Sequence, residues 1–238
     1  MRVTIHQPEF APWLGFFHKV SLADALIFLD DAQFNRSYFH NRNRVRTADG
    51  WTWIKVPVKK TGLGTQINEA KIAGDNNPRW REKITRTVKQ SYQEAPFFDR
   101  AFEQFEEIIG RSNETLLTLN VPLLEWMLQG FGLNQQVQLS SSLSVRGFGS
   151  DRILELCKTV GADAYVSGVS GRDYLDLEAF NRAGIEVVFQ EFRHPVYSQL
   201  HEEFMPQISA LEALFLFGPQ SKQLLSTDWP ERLETVFE

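Results

Sequence analysis

Polar side chains that can bind a ligand or move a proton surround the first turn of the chain, in the stretch "IHQPEFAPWLGFFHK". They are His6, Gln7, Glu9 and His18. An imidazole exchanges a proton near neutral pH, so His6 is the candidate general base or polarising group, and the other three are candidate substrate ligands. Because a plain corner between a strand and a helix needs only apolar residues and a turn, this polar content favours a reaction site. The alternative for each histidine is a hydrogen-bonded structural residue.

A second polar cluster follows the apolar run "ALIFLDDAQF", which is typical of a buried strand. Asp30 and Asp31 end this run, and Gln33 follows as a candidate ligand. Ligands of open α/β sheets bind beyond the carboxyl ends of the strands, so this cluster lies beside His6 if the two strands are neighbours. We expect the aspartates to act in catalysis, by orienting a histidine, a sugar hydroxyl or an amine, or by holding Mg²⁺, the candidate cofactor.

Basic residues gather in the segment "FHNRNRVR". It contains His40, Asn41 and Arg42, and in an extended conformation Arg42, Arg44 and Arg46 share one face. Guanidinium groups at this spacing suit phosphate or carboxylate. We therefore predict that His40, Asn41 and Arg42 bind the substrate, with Arg42 on phosphate. The alternative is a solvated edge strand whose positive charges discourage aggregation.

A strand, a run of small residues and a helix follow one another in "YVSGVSGRDYL", and this order predicts an anion site. Glycines permit close approach of the backbone, a helix N-terminus carries partial positive charge, and Arg172 adds a guanidinium group. The alternative is a tight connection in which Asp173 caps the helix. The predicted ligands are Ser167, Gly168, Ser170, Gly171, Arg172 and Asp173, and His194 in a later loop completes the candidate site.

Apolar runs alternate with helical patterns along the chain and predict an α/β fold, a parallel sheet with flanking helices. Strands are expected at "RVTI", "ALIFLDD", "VQLSSSL", "DAYVSG" and "IEVVFQEF", and a hairpin or paired strands over "WTWIKVPVKKTGLGTQINEAKI", with the turn at the glycines. Three consecutive helical patterns predict an inserted helical subdomain. We expect an N-terminal α/β part with the hairpin over 1–76, the helical subdomain over 77–133, and a C-terminal α/β part over 134–238 that completes the sheet.

Composition excludes several classes of protein. No stretch approaches the roughly 18 consecutive apolar residues that cross a bilayer, and the first residues lack the apolar run of a secretory signal, so we expect a cytoplasmic protein without a membrane span. Cys157 is the one cysteine, which excludes an intramolecular disulfide and a cysteine-rich zinc site. The net charge of −5 gives no general reason to expect a nucleic-acid partner.

Several segments together resemble the WbqC-like protein family. They are "HQPEFAPWLGFFHKV", "LDDAQFNRSYFHNRNRVR", "WIKVPVKK", "YVSGVSGRDYLD" and "GIEVVFQEFRHPVYSQLHEEFMPQISALEALFLFGP", and they cover nearly the whole chain. The resemblance implies a cytoplasmic bacterial protein associated with the biosynthesis of surface polysaccharides such as O-antigen or capsule. It does not supply a reaction.

A fainter similarity concerns the nucleotidyltransferase α/β fold, with its H-x-G-H and I-S-x-T-x-x-R motifs. Here two phenylalanines separate Gly15 from His18, and Val169 stands where the second motif has threonine. These departures weaken the case for nucleotidyl transfer and leave phosphate binding as the expectation. A nucleotidyltransferase-like core is therefore part of the fold prediction.

The favoured function is a transferase that acts on a nucleotide-activated or carrier-bound small molecule, with Arg42 and Arg172 on phosphate. An acyl or aminoacyl transferase to a sugar amine would use the same histidine and aspartates without a nucleotide. A binding module for a phosphorylated intermediate would keep the arginines and have no need for His6.

Overall fold

A computed structural model describes residues 1–74, 79–201 and 203–226 of the chain. Five strands form a fully parallel sheet: β1 (Arg2–His6), β2 (Ala25–Phe28), β5 (Gln136–Leu139), β6 (Ala164–Ser167) and β7 (Glu186–Phe189). A separate antiparallel hairpin consists of β3 (Arg42–Thr47) and β4 (Gly50–Lys55). The seven α-helices of the described residues are α1 (Leu14–Ser21), α2 (Arg79–Tyr92), α3 (Phe98–Gly110), α4 (Leu116–Gly130), α5 (Gly149–Thr159), α6 (Leu177–Arg182) and α7 (Leu211–Phe217).

The strand order of the large sheet is β5-β2-β1-β6-β7, so β1 is central. The chain first moves outward from β1 to β2 and β5, then returns to the other side of β1 with β6 and β7. The connection that leaves β1 therefore runs to one side of the sheet, and the connection that leaves β6 runs to the other. The position between β1 and β6 is the topological switch point, where ligands of open α/β sheets bind.

Apolar side chains cover both faces of this sheet. Leu26 and Phe28 of β2 point into a large core with α1, the helices α2 to α4 and α7. Ala25 and Ile27 point to the other face and pack with α5 and α6. Because both faces are buried, β2 is apolar at every position instead of alternating. The predicted α/β fold, a parallel sheet flanked by helices, is confirmed.

The three predicted helices of the middle segment are α2, α3 and α4. Thr115 begins α4 through a capping box with Thr118. These helices share one apolar core with α1 and α7. The predicted boundary between 76 and 77 lies outside the described residues, as do residues 227–238 of the predicted C-terminal part, so the division into three parts stays a prediction.

Neither Asp173 nor Ser150 caps a helix. The helix after β6 does not begin near Asp173: a 3₁₀ turn over Val169–Asp173 comes first, and Asp176 caps α6 by accepting from the backbone N–H of Ala179. Ser150 likewise does not cap α5, which already begins at Gly149. The Ser150 hydroxyl instead accepts a hydrogen bond from the Asp176 N–H, at 2.8 Å, and links the two helices.

A buried carboxyl group lies under the hairpin. Glu212 of α7 is 1% exposed, and among the described residues neither of its oxygens has a hydrogen-bond partner of standard geometry. Tyr92, Tyr197 and Gln199 lie nearby, and burial raises the pKa of Glu212 from 4.5 to about 7. The group is therefore neutral when the protein folds in mildly acidic solution.

The free energy of unfolding of the Glu212→Gln variant, compared with that of the wild type, is expected to increase as the pH rises. The folded carboxyl holds its proton up to about pH 7 and the unfolded one only up to about pH 4.5, so the wild type loses stability between these values. From about pH 5 to pH 8 the free energy of unfolding of the variant should rise by about 2–3 kcal/mol relative to the wild type. Denaturant titrations at both pH values measure this. Glu106→Gln on the exposed face of α3 is the control, and an equal response of both variants would contradict the prediction.

Candidate functional site

The candidate site lies at the carboxyl ends of β1 and β6. The carbonyl of His6 accepts from the N–H of Leu29, at 2.8 Å, which joins the end of β1 to the end of β2. Ser167 ends β6, and its carbonyl accepts from the N–H of Gln190 after β7. The predicted cluster at residues 6–9 therefore stands at the switch point of the sheet.

Hydrogen bonds fix the tautomer of each histidine beside this point. Nδ1 of His6 lies 2.9 Å from the carbonyl oxygen of Gln7, so Nδ1 carries the hydrogen and Nε2 carries the lone pair. The N–H of Asn35 donates to Nδ1 of His40, so Nε2 of His40 donates to Oε1 of Gln7, at 2.7 Å. Gln7 thereby links the two rings, and its amide nitrogen points to neither.

Both rings are neutral at physiological pH. Burial, and next the charge of Lys19, lower the pKa of His6 to about 3. Burial lowers the pKa of His40 to about 4. His6 is therefore suited to accept a hydrogen bond through Nε2, but it is a weak base.

An amine and a carboxyl group complete the cluster. Lys19 on α1 is buried, and its Nζ donates to the carbonyl of Ile5 at the end of β1, at 3.1 Å. Burial lowers the pKa of Lys19 to about 7, although the charge of Glu9 acts in the opposite direction. Burial raises the pKa of Glu9 to about 7, and here Lys19 opposes the shift. Both groups are thus matched to proton transfer near neutral pH.

The cluster is partly exposed. His6, Gln7 and Glu9 are half-buried, whereas Lys19 and His40 are buried. Among the residues that the structure describes, none hydrogen-bonds to the Glu9 carboxylate. Of the titratable groups of this cluster, Glu9 and His6 are therefore the ones that a small molecule in solution can contact.

The loop that presents these groups is held by long-range contacts. The side-chain amide of Asn120 on α4 donates to the carbonyls of Pro8, at 3.0 Å, and His40, at 2.8 Å. The amide of Asn43 donates to Phe10 and Ala11. Ala11 has a φ of +47°, in the left-handed region that non-glycine residues avoid. Such backbone strain persists only where the surroundings enforce it and is frequent at functional sites.

The carboxylates of Asp30 and Asp31 are occupied by hydrogen-bond donors of the protein itself. Asp30 is fully buried, and its carboxylate accepts from the amide of Asn68, the hydroxyls of Ser140 and Ser141, and the N–H of Ser141. Asp31 accepts from Ser140 and forms an ion pair with Arg152. With four donors on Asp30, these carboxylates do not fit a Mg²⁺ site, and they join β2 to the turn after β5. Gln33, beyond them, is exposed in a bridge with Gln66.

The basic segment forms the predicted extended face, but its polar groups have partners. Arg42 lies over the Trp53 ring, at 4.5 Å, and donates to the carbonyl of Ser37. Asn41 is buried and donates to the carbonyl of Val56. Of the predicted ligands in this segment, His40 alone is joined by hydrogen bonds to the cluster at His6.

The loop after β6 is a compact 3₁₀ turn. Gly171 is required there because an added Cβ would lie 2.0 Å from the Ser167 hydroxyl. That hydroxyl donates to the carbonyl of Gly168. Ser170, Arg172 and Asp173 are exposed, and the Arg172 guanidinium lies 4.1 Å from the centre of the Phe189 ring. Arg172 thus stands over the end of β7, one strand beyond the switch point.

The remaining predicted histidines belong to an aromatic cluster. His18 is buried, and its Nδ1 accepts from the amide of Gln190, at 2.8 Å. His194 donates from Nδ1 to the carbonyl of Pro195 and stacks on Trp13, with ring centres 6.3 Å apart. Burial lowers the pKa of both imidazoles. His18 lies in the position of a structural residue, while His194 borders the surface beside Trp13.

Lys19 and Asn120 were missed by reasoning from the sequence. Lys19 stands in an apolar helix pattern, "LGFFHKV", where a lysine must lie in the core or break the pattern, and this was an available signal. Asn120 on α4 gave no signal, since its contacts join segments 80 and 112 residues apart. Cys157 is buried, and burial raises the pKa of its thiol to about 12, so it is no nucleophile.

Other features lie apart from this cluster. A cavity of about 640 Å³ opens between α3, α4 and α7, and one of about 570 Å³ lies beside Arg46 and His201. Within the described ranges, no helix has the length and apolar character to cross a membrane. Also within them, no three His, Cys, Asp or Glu side chains are grouped to hold a metal ion.

The chain is similar in sequence to one protein family and to one curated protein. The sequence model of the WbqC-like protein family matches residues 7–224. A Mycobacterium tuberculosis protein, described as uncharacterised, is 30% identical over 227 residues, which cover 94% of this chain and 97% of that protein. No solved structure matches the chain significantly, so the nucleotidyltransferase-like core stays a prediction.

Proposed function

We propose, from the premise that this chain belongs to the WbqC-like protein family, that it is a cytoplasmic transferase in bacterial surface-polysaccharide biosynthesis. Its substrate would be a nucleotide-activated or carrier-bound small molecule. The observation that supports a reaction is the group of Glu9, His6 and Lys19 at the switch point, with Glu9 half-buried and without a hydrogen-bond partner among the described residues. A strictly structural corner would leave no such carboxyl group.

The chemistry assigns one role to each group. A hydroxyl or amine of the acceptor donates a hydrogen bond to Nε2 of His6 and attacks the transferred group. The bond from that group to the nucleotide or carrier breaks, and the leaving group departs with the electron pair. The Glu9 carboxylate takes the acceptor proton, and the Lys19 ammonium stabilises the negative charge that develops.

A second candidate is acyl or aminoacyl transfer to a sugar amine. The burial of Cys157 favours direct transfer in this case, because no thiol is available to form an acyl-enzyme. Glu9 would then receive the proton of the attacking amine, and Nε2 of His6 would again accept a hydrogen bond from it. The two candidates differ only in the donor.

A panel of donors tests the proposal. Nucleoside diphosphate sugars and acyl thioesters are each incubated with the protein and an amino-sugar acceptor, and products are detected by mass spectrometry. His6→Leu, which cannot accept a hydrogen bond, should lower kcat about 10²-fold with little change in the unfolding midpoint, the scale for losing one positioned hydrogen-bonding group. His201→Leu, outside the cluster, is the matched control. Ligand binding without turnover in any mixture would instead indicate a binding module.

A further inference from the structure

The hairpin presents a row of aromatic and basic side chains to solvent. Trp51 and Trp53 of β4 are 42% and 36% exposed, and Lys55 follows them on the same face. Arg42 and Arg44 of β3 lie over the Trp53 and Trp51 rings, at 4.5 and 5.4 Å. Large exposed aromatic side chains in a contiguous row indicate an interaction surface.

A loop with an exposed leucine follows the hairpin along the chain. Arg36 donates to the carbonyls of Val58 and Lys59, and thereby joins the segment beside the hairpin to the loop over 59–65. Lys59 and Lys60 begin that loop, and Leu63 between two glycines is fully exposed. We call the hairpin row and this loop together the basic aromatic surface.

The charge of this part of the chain is opposite to that of the whole. Residues 32–68 contain seven basic residues and one acidic residue, whereas the net charge of the protein is −5. A molecule with such an asymmetry orients its basic side toward an anionic surface. The partner of the basic aromatic surface is therefore anionic.

We propose that the basic aromatic surface docks this protein on an anionic phospholipid bilayer, with Leu63 inserted and the tryptophans and basic side chains at the level of the headgroups. Tryptophan and tyrosine prefer the membrane interface, and basic residues there are attracted to acidic lipids. A nucleic acid fits less well, because the arginines already occupy a face of each tryptophan ring on which a base would stack.

The proposed membrane face adjoins the candidate site. The Tyr38 ring, 56% exposed, stacks on His40 with ring centres 5.9 Å apart, and His40 hydrogen-bonds to Gln7. If the proposed function holds, docking would bring the site to a substrate on a lipid carrier. Docking itself does not depend on that function.

Vesicle sedimentation without any substrate tests the docking. Vesicles of phosphatidylglycerol and phosphatidylcholine in equal parts should bind the wild type, and pure phosphatidylcholine vesicles should not. Leu63→Asp should lower the partition constant at least about tenfold, because it replaces the inserted apolar side chain by a charge. The double variant Lys55→Glu with Lys60→Glu should also lower it at least about tenfold, because each exposed basic residue contributes about 1 kcal/mol at such a surface. Lys83→Glu with Lys89→Glu, an equal charge change on α2, is the control and should lower it less than about threefold.

Unchanged unfolding midpoints are expected in all variants, since the replaced side chains are exposed. Two outcomes would overturn the proposal: a wild type that does not sediment with acidic vesicles, or equal losses in the test and control variants. Tight binding of a single-stranded oligonucleotide, lost in the same test variants while vesicle binding persists in them, would also overturn it. Turnover is not measured, so failure here is distinct from failure of the proposed transferase.

Discussion

Glu9→Gln is expected to lower kcat about 10²–10⁴-fold while the protein stays folded. The amide has the shape of the carboxyl group but cannot take a proton, and general acid–base catalysis contributes on this scale. Since burial raises the pKa of Glu9 to about 7, the wild-type rate should rise with pH up to about 7, as the carboxylate forms. The variant should lack this rising limb. Initial rates across the pH range, with a donor and acceptor that the wild type turns over, measure both effects.

Glu106→Gln is the matched control, because it makes the same chemical change on the exposed face of α3. Its kcat and pH profile should equal those of the wild type. A Glu9→Gln protein with wild-type turnover would remove Glu9 from the proposed mechanism. A lower affinity with unchanged kcat would make it a substrate ligand only.

Lys19→Met is expected to stabilise the protein near pH 6 by about 2–3 kcal/mol and to lower its activity. Burial lowers the pKa of Lys19 from 10.5 to about 7. Below pH 7 the amine is charged in both states, and the charge costs more free energy in the buried site of the folded protein than in the unfolded chain. Methionine removes this cost. The loss of the hydrogen bond to the Ile5 carbonyl, about 1–3 kcal/mol, offsets part of the gain.

The sign of this effect should change with pH. Between about pH 7 and 10.5 the folded lysine has lost its proton while the unfolded lysine still holds one, so the wild type gains stability with rising pH while the variant does not. At about pH 10 only the lost hydrogen bond remains, and Lys19→Met should be less stable than the wild type. Urea unfolding at both pH values is the measurement, with Lys83→Met on exposed α2 as control. A variant that is destabilised at both values would show that Lys19 is an ordinary packing residue.

The parallel sheet could be predicted from the sequence because its signals are local. Apolar runs such as "ALIFLDD" are buried on both faces of a parallel sheet, and helical patterns separate them. The same locality explains why Asp173 was an alternative as a helix cap, although Asp176 has that position. An aspartate is an equally good cap at either of two nearby positions, and the 3₁₀ turn that favours Asp176 depends on the close packing of Gly171 on Ser167.

The candidate site was predictable at His6, Gln7 and His40, which do meet at one edge of the sheet. The partners that occupy Asp30 come from residues 68, 140 and 141, and distances of this kind along the chain are not encoded in a local pattern. The role of Lys19 follows from burial, which is a property of the folded molecule. Polar residues at strand ends can therefore be located from the sequence, whereas their protonation and partners cannot.

Asn120 makes the assembly of the site depend on segments that are distant in sequence. Its two hydrogen bonds close loops of 112 and 80 residues, and the N–H of Ala210 adds a contact to Pro12 from near the end of the described chain. Closing long loops costs chain entropy, and contacts of high sequence separation slow folding. The helices can form early from local contacts, but the loop over 7–13 reaches its strained conformation only after distant segments have docked. A nascent chain released before α7 is made would contain His6, Glu9, Lys19 and Asn120 but would lack the contact from Ala210 to Pro12 that holds the end of this loop.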